Sequence, residues 1–310
     1  MKQSILKDGV MFGAIYIVML FASYFIPLLG IVLTFVLPIP FVIFSYRYGL
    51  KASLIMFSFT LIISSVFVAA ISVPMALFMG LGGLAIGLGL YNQRRAYETL
   101  ALGTVGFSVG LALVYVLTQF FFQVNWMEEF RLAIDETLST YSTMVNQFSE
   151  VSEENLEAIR EQMKMMVYKL PSFIVMFGLF YAWVTQWISH KLINKFEQRS
   201  FAFPKFKEFN LPLSIIWYYF LGLVLVLIFP SPDDSLFLVA ENLYTLSGLL
   251  LSLQGLAFLF WVVHFKKWPR AIPIIVIILL VIQPLLLLYP LRILGIIDLG
   301  FQLRDRLMKK

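Results

Sequence analysis

Residues 271–288, "AIPIIVIILLVIQPLLLL", run without one charged side chain. A run of that length matches the roughly 20 apolar residues that an α-helix needs to cross the ~30 Å hydrocarbon layer of a bilayer. The rest of the 310-residue chain has the same character. Hydrophobic residues make up 60% and charged ones 13%, against about a quarter charged in soluble domains, and the mean hydropathy is +0.88. In lipid every backbone N–H and C=O must be satisfied, which leaves helices or closed barrels. Ten-residue alternating segments of the barrel type do not occur. The sequence therefore predicts an all-α polytopic membrane protein.

Working outward from that stretch, nine candidate spans emerge, near 9–29, 30–46, 52–70, 72–90, 100–122, 170–189, 211–230, 239–264 and 271–289. The first follows Lys2 and Lys7, and its apolar run is too long for a signal-peptide core, so it reads as a retained span. Lys and Arg collect on the cytoplasmic side of membrane proteins. Arg47 and Lys51 follow span two, and Arg94 and Arg95 follow span four. Lys191, Lys195, Arg199, Lys205 and Lys207 follow span six, and Lys266, Lys267 and Arg270 follow span eight. These loops, and with them the N-terminus, are expected in the cytoplasm.

Segment 123–169 carries nine acids (Glu128, Glu129, Asp135, Glu136, Glu150, Glu153, Glu154, Glu157, Glu161) against Arg131, Arg160, Lys164 and Lys169, and belongs outside. Its apolar residues form helical stripes: Leu138, Tyr141, Val145 and Phe148, then Leu156, Ile159, Met163, Met166 and Leu170. Ser152 offers an N-cap between them, with Glu153 and Glu154 in the first turn. The pattern predicts an external helical hairpin whose second arm continues into span six. Four regions result: a bundle over 1–122, the acidic hairpin over 123–169, further transmembrane helices over 170–291 and a basic tail over 292–310.

The tail breaks the count. Nine crossings put it outside, yet Arg292, Arg304, Arg306, Lys309 and Lys310 outnumber Asp298 and Asp305. Either an early span is not a full crossing, or residues 271–303 bend at Pro284 and Pro290 and return; the basic excess favours a cytoplasmic tail.

Candidate sites are few. Gly80, Gly83 and Gly87 share one helical face behind Ala76, a small-residue pattern that lets helices approach closely. A dinucleotide fingerprint would need a strand-to-helix turn instead. Span eight aligns Glu241, Thr245, Gly248, Ser252 and Gly255 on one face, with Ser247 and Gln254 on the next stripe. Gln254 and Ser252, with Gln119 of span five, are the candidate solute contacts, and helix-to-helix bonding is their structural counterpart. Gln283 is a weaker signal of the same kind, and Asn125 and Trp126 mark an interface. Glu241 and Asn242 are expected at a wet outer boundary, and His190 and His264 at span ends.

The chain has no cysteine and two histidines, so neither disulfides nor a metal site is expected. No nucleophile with a base at membrane depth, no second aspartate beside Asp298 and no phosphate-binding loop is present, so no enzyme activity, no cofactor and no nucleic-acid partner is predicted. Arg292 and Asp298 stand six residues apart, about 120° around a helix, off the spacing that pairs side chains. Arg292 is expected to snorkel to a membrane face as the chain exits, with Asp298 meeting Arg304 or Arg306. Docking of Asp298 and Arg304 against the bundle is the alternative.

On "LGIIDLGFQLRDR", "ENLYTLSGLLLSLQG" and "LPIPFVIFSYRYGLKASL" the chain resembles the YybS-like family of bacterial membrane proteins, a family of unknown function. The first six spans are also similar to the S components of energy-coupling factor transporters, with a "YG" turn and a Gly-rich helix. That second resemblance implies a small-solute binding or transport subunit and partners in an ATPase and a membrane coupling module. It also implies a coupling face on the first helix, here Gly9 and Gly13, where the family has small residues four apart. The rival reading is a non-transporting scaffold or regulator of envelope or signalling enzymes, acting through the 123–169 hairpin.

Overall fold

In the computed structural model, residues 2–66, 69–121, 123–145, 153–269 and 271–308 are described, and among them the regular structure is helical, with no strand. Among the described residues, seven stretches are long and apolar enough to cross a membrane. Contacts divide the chain into two units, 1–167 with 173–203, and 168–172 with 204–310. Most of α8 thus groups with the N-terminal helices and the tail with the C-terminal ones.

The first unit contains α1 (Lys2–Phe25), α2 (Pro27–Thr34), α3 (Ile39–Val66), α4 (Ala69–Tyr91), α5 (Ala96–Phe121), α6 (Trp126–Val145), α7 (Glu153–Val167) and most of α8 (Leu170–Glu197). α3 reverses at Gly49, whose φ of 71° is open to glycine and strained for other residues. Phe41 and Ser45 before it meet Gly83 and Gly87 of α4, whereas Phe57 and Ser64 after it meet Gly80 and Ser72. One arm therefore runs with α4 and the other against it, and the Phe41 and Phe57 rings come within 6.0 Å of each other. The expected spans two and three are these arms, the first interrupted at residues 35–38.

Glycine is what brings these helices together. A Cβ on Gly83 or Gly87 would meet the Pro38 or Val42 carbonyl, and one on Gly106 the Leu81 carbonyl. Into the space so formed pack Tyr16, Phe41, Phe44 and Phe107, each nearly inaccessible. Gly9 and Gly13 face Phe44 and Thr60 of the same chain, so the small-residue face of α1 is covered from within. At one end Arg47 pairs with Glu197 at 2.6 Å and Asp8 at 3.5 Å.

The acidic hairpin forms from α6 and α7, tied by Arg160 to Asp135 at 3.5 Å. Among the described residues its buried positions are Ile134 and Leu138, while Tyr141 and Met166 are exposed. Of the expected stripe, Leu138 is buried and Ile159 and Met163 are half-buried, with Ile134 joining them one turn earlier. The second arm also does not continue into the next helix: a turn at Tyr168 and Lys169 intervenes, and Pro171 occupies the first turn of α8, where its missing N–H costs nothing. Phe148 and Ser152 lie outside the described residues, as do Arg270, Lys309 and Lys310.

The second unit contains α9 (Ser214–Ile228), α10 (Phe237–Phe265), α11 (Ala271–Ile282), α12 (Pro284–Phe301) and α13 (Leu303–Met308). The uncharged run 271–288 is not one span. The helix breaks at Gln283 (φ −134°, ψ 67°), and Pro284 starts α12; Pro290, expected to bend the chain, lies inside α12. Tyr289, Arg292 and Asp298 of α12 meet Tyr244, Gly248 and Gln254 of α10 in the same order, so the two helices run parallel. α9 runs against both, with Leu211 at Gln254 and Gly222 at Tyr244. Residues 271–303 thus leave the Lys266 end of α10 and come back toward it, the second of the two courses weighed above.

Candidate functional site

The closest helix approach of the second unit sets its polar interior. A Cβ on Gly255 would strike the Leu291 carbonyl, and one on Gly295 the Leu251 carbonyl. With glycine at both positions, backbone meets backbone, and the side chains to either side are forced into contact. Two charged clusters result, one on each side of this crossing.

The first centres on Asp298, whose side chain is 2% exposed. α12 ends at Phe301, and Gln302 takes a left-handed conformation (φ 48°, ψ 48°). That turn folds Arg304 back, so a pair six residues apart, out of register on a helix, closes here. Arg304 Nη2 donates to Asp298 Oδ2 at 2.7 Å, and its Nη1 donates to the Lys207 and Phe209 carbonyls at 2.9 and 3.0 Å. Gln254 Nε2 donates to Asp298 Oδ2 at 2.6 Å and to Asn210 Oδ1 at 3.1 Å, and its Oε1 accepts the Leu211 N–H at 2.9 Å. Gln254 has all its donors and acceptors engaged within the chain.

The second cluster is Arg292, 8% exposed. Its guanidinium lies over three tyrosine rings, Tyr219, Tyr244 and Tyr289, at 5.3, 5.2 and 5.0 Å. The Tyr244 and Tyr289 hydroxyls are 3.1 Å apart. Gly248 makes the room, because a Cβ there would lie 2.6 Å from Arg292 Cζ. Among the described residues no carboxylate is within ion-pair distance of Arg292, and its Nε and Nη1 have no hydrogen-bond partner. At about 1.5 Å per residue, Gly248 lies about 10 Å along α10 from Glu241 and about 9 Å from Gln254. Arg292 does not snorkel outward as the sequence suggested; it is buried between helices.

Other expected residues fall as follows. Ser252 Oγ is 2.9 Å from the carbonyls of Gly248 and Leu288, bonding α10 to α12. Gln119 is exposed on α5, in the first unit. Glu241, expected to be wet, is mostly enclosed and paired with Lys169 at 3.5 Å, and Asn242 caps the start of α8 by accepting the Ser172 N–H at 2.9 Å. His190 is buried against Phe201 and Phe203 rather than marking a span end, whereas His264 is exposed. Sequence reasoning missed the tyrosines. They sit on three helices with no common spacing, and an interface role accounts for any one of them alone.

Residues 14–299 match the model of a family described as "Predicted membrane protein (DUF2232)". The chain is 25% identical over 313 residues to the "Uncharacterized protein YybS" of Bacillus subtilis (strain 168), covering 99% of each. No solved structure matches it. The chain belongs to the DUF2232 family of predicted membrane proteins, and is a multi-pass integral membrane protein.

Proposed function

We propose that this member of the family is a small-solute binding or transport subunit of the bacterial cell membrane, with its N-terminus in the cytoplasm, and that the solute is an anion held at Arg292. The observation that carries this reading is the buried guanidinium with two unpartnered nitrogens. A cation at membrane depth is expensive and marks a substrate path or binding site by default. The three rings offset part of the cost, a desolvated cation–π contact being worth about 2 kcal/mol. They act on the charge and leave the N–H groups unsatisfied, at about 1–3 kcal/mol for each buried donor. A carboxylate or phosphate on the solute supplies both the counter-charge and the acceptors. Gln254 and Ser252, read from sequence as solute contacts, serve this site by fixing α12 beside α10.

The test is purification of the full chain in mild detergent, followed by mass spectrometry of retained small molecules and co-purifying proteins. Wild type retains an anion that the Arg292→Gln protein lacks; equal retention by both would refute the assignment. An ATPase pair with a membrane coupler among the co-purified proteins makes the subunit part of a transporter of the energy-coupling kind.

The acidic hairpin favours the second reading, a scaffold for envelope or signalling enzymes. It exposes Asp135, Glu157 and Glu161 on a surface that the solute reading does not use. Deleting residues 130–165 would then abolish partner recovery and leave solute retention intact.

A further inference from the structure

A cavity of about 860 Å³ opens at the Lys266 end of α10, lined from the loop before α9, the last turns of α10 and the first turn of α11. Its walls are of two kinds. Phe260, Val263 and Ile274 are apolar, while Lys205, Lys207 and Lys267 are basic, with His264 beside them, and among the described lining residues there is no carboxylate. Trp268, of a residue type that collects at membrane interfaces, stands beside them. The loop that carries two of the lysines is not free to wander. Arg304 Nη1 holds the carbonyls of Lys207 and Phe209, and Phe206 packs edge-on against Phe260 at 5.4 Å. The backbone that carries Lys207 is therefore fixed beside the end of a long apolar helix.

We propose that this cavity binds an anionic phospholipid, its phosphate among Lys205, Lys207 and Lys267 and the upper part of one acyl chain against Phe260, Val263 and Ile274. Inorganic phosphate or a small soluble anion has no use for the apolar wall, and a zwitterionic lipid has no use for three uncompensated lysines. The site is separate from Arg292 and does not depend on the solute reading.

The test uses the full-length protein, stripped of lipid by detergent washing and titrated in native mass spectrometry. The probes are phosphatidylglycerol, phosphatidylcholine of the same chains, and sodium phosphate. Phosphatidylglycerol is expected to bind at least tenfold more tightly than phosphatidylcholine. Each of Lys205→Gln, Lys207→Gln and Lys267→Gln weakens it roughly fivefold, the effect of one basic residue near an anionic headgroup. Lys51→Gln with Lys191→Gln, basic positions of the other unit, leaves it unchanged. Equal affinity for the two lipids, or an equal loss in the control pair, would overturn the site. Displacement of phosphatidylglycerol by millimolar sodium phosphate would reassign it to a soluble phosphate. Should the lysine variants fail to purify, Ile274→Trp fills the apolar part, and unchanged lipid binding in that protein would overturn the proposal as well.

Discussion

Arg304 and Arg292 lie within one short stretch of chain, yet burial treats their charges in opposite ways. Arg304 meets a carboxylate and two carbonyls, and Asp298 in turn receives an amide from Gln254, so that cluster is closed. Arg292 meets three aromatic rings and keeps two nitrogens without acceptors. A closed cluster is a structural device, since every group in it is answered from within. An open one is a place where something from outside completes the set. The contrast teaches that a charge in an apolar helix is not by itself a site; what counts is whether its partners are already present.

The closed cluster is where the largest stability effects are expected. Asp298→Ala strands Arg304 and Gln254 in the interior and should cost about 3–5 kcal/mol, the usual consequence of removing one partner from a buried pair. Unfolding of the detergent-solubilised protein measures it, and a loss below ~1 kcal/mol would mean that water reaches the cluster. Gly295→Ala, which drives a methyl group into the Leu251 carbonyl, is expected to cost about 1–3 kcal/mol through overpacking and to weaken both clusters together. Gln254→Ala orphans the Leu211 N–H and one Asp298 bond, for a loss of about 1–3 kcal/mol, with solute retention falling only as far as stability does; lost retention at full stability would instead return Gln254 to the solute. Arg292→Gln should behave in the reverse sense. Its stability should stay within about 1 kcal/mol of wild type, since no ion pair is broken, while anion affinity falls at least tenfold, as expected for a lost charged hydrogen bond. If Arg292→Gln unfolds the protein as Asp298→Ala does, the two clusters do not differ in kind. Smallest of all, Arg160→Ala on the exposed hairpin should change stability by less than ~0.5 kcal/mol.

The same contrast separates what sequence could show from what it could not. Apolar runs of sufficient length announce helices, because a bilayer leaves the backbone no other way to satisfy itself. The glycine face of α4 was visible because its period is that of one helix. The break at Gln283 was half legible: Pro284 was seen, but Pro290 competes with it, and only packing against α10 decides which one bends the chain. The meeting of Asp298 with Arg304 was expected, and it takes the form of the alternative reading, docked in the interior; the left-handed residue between them is what lets two residues six apart meet. The tyrosines around Arg292 come from α9, α10 and α12, so their convergence is a property of tertiary structure alone. Burial of Arg292 was misjudged for the same reason, since a long side chain one or two turns from a membrane face can turn either way until its neighbours are known.

The left-handed turn at Gln302 has a consequence for biogenesis. Gln254 is synthesised well before Asp298 and Arg304, so its bonds to Asn210 and the Leu211 N–H can form first, and one N–H waits for Asp298. Once Asp298 emerges, its base is only six residues behind and is delivered by a turn rather than by a long search. The turn at Gln302 thus completes, with residues made later, a polar set that α10 and the loop before α9 begin.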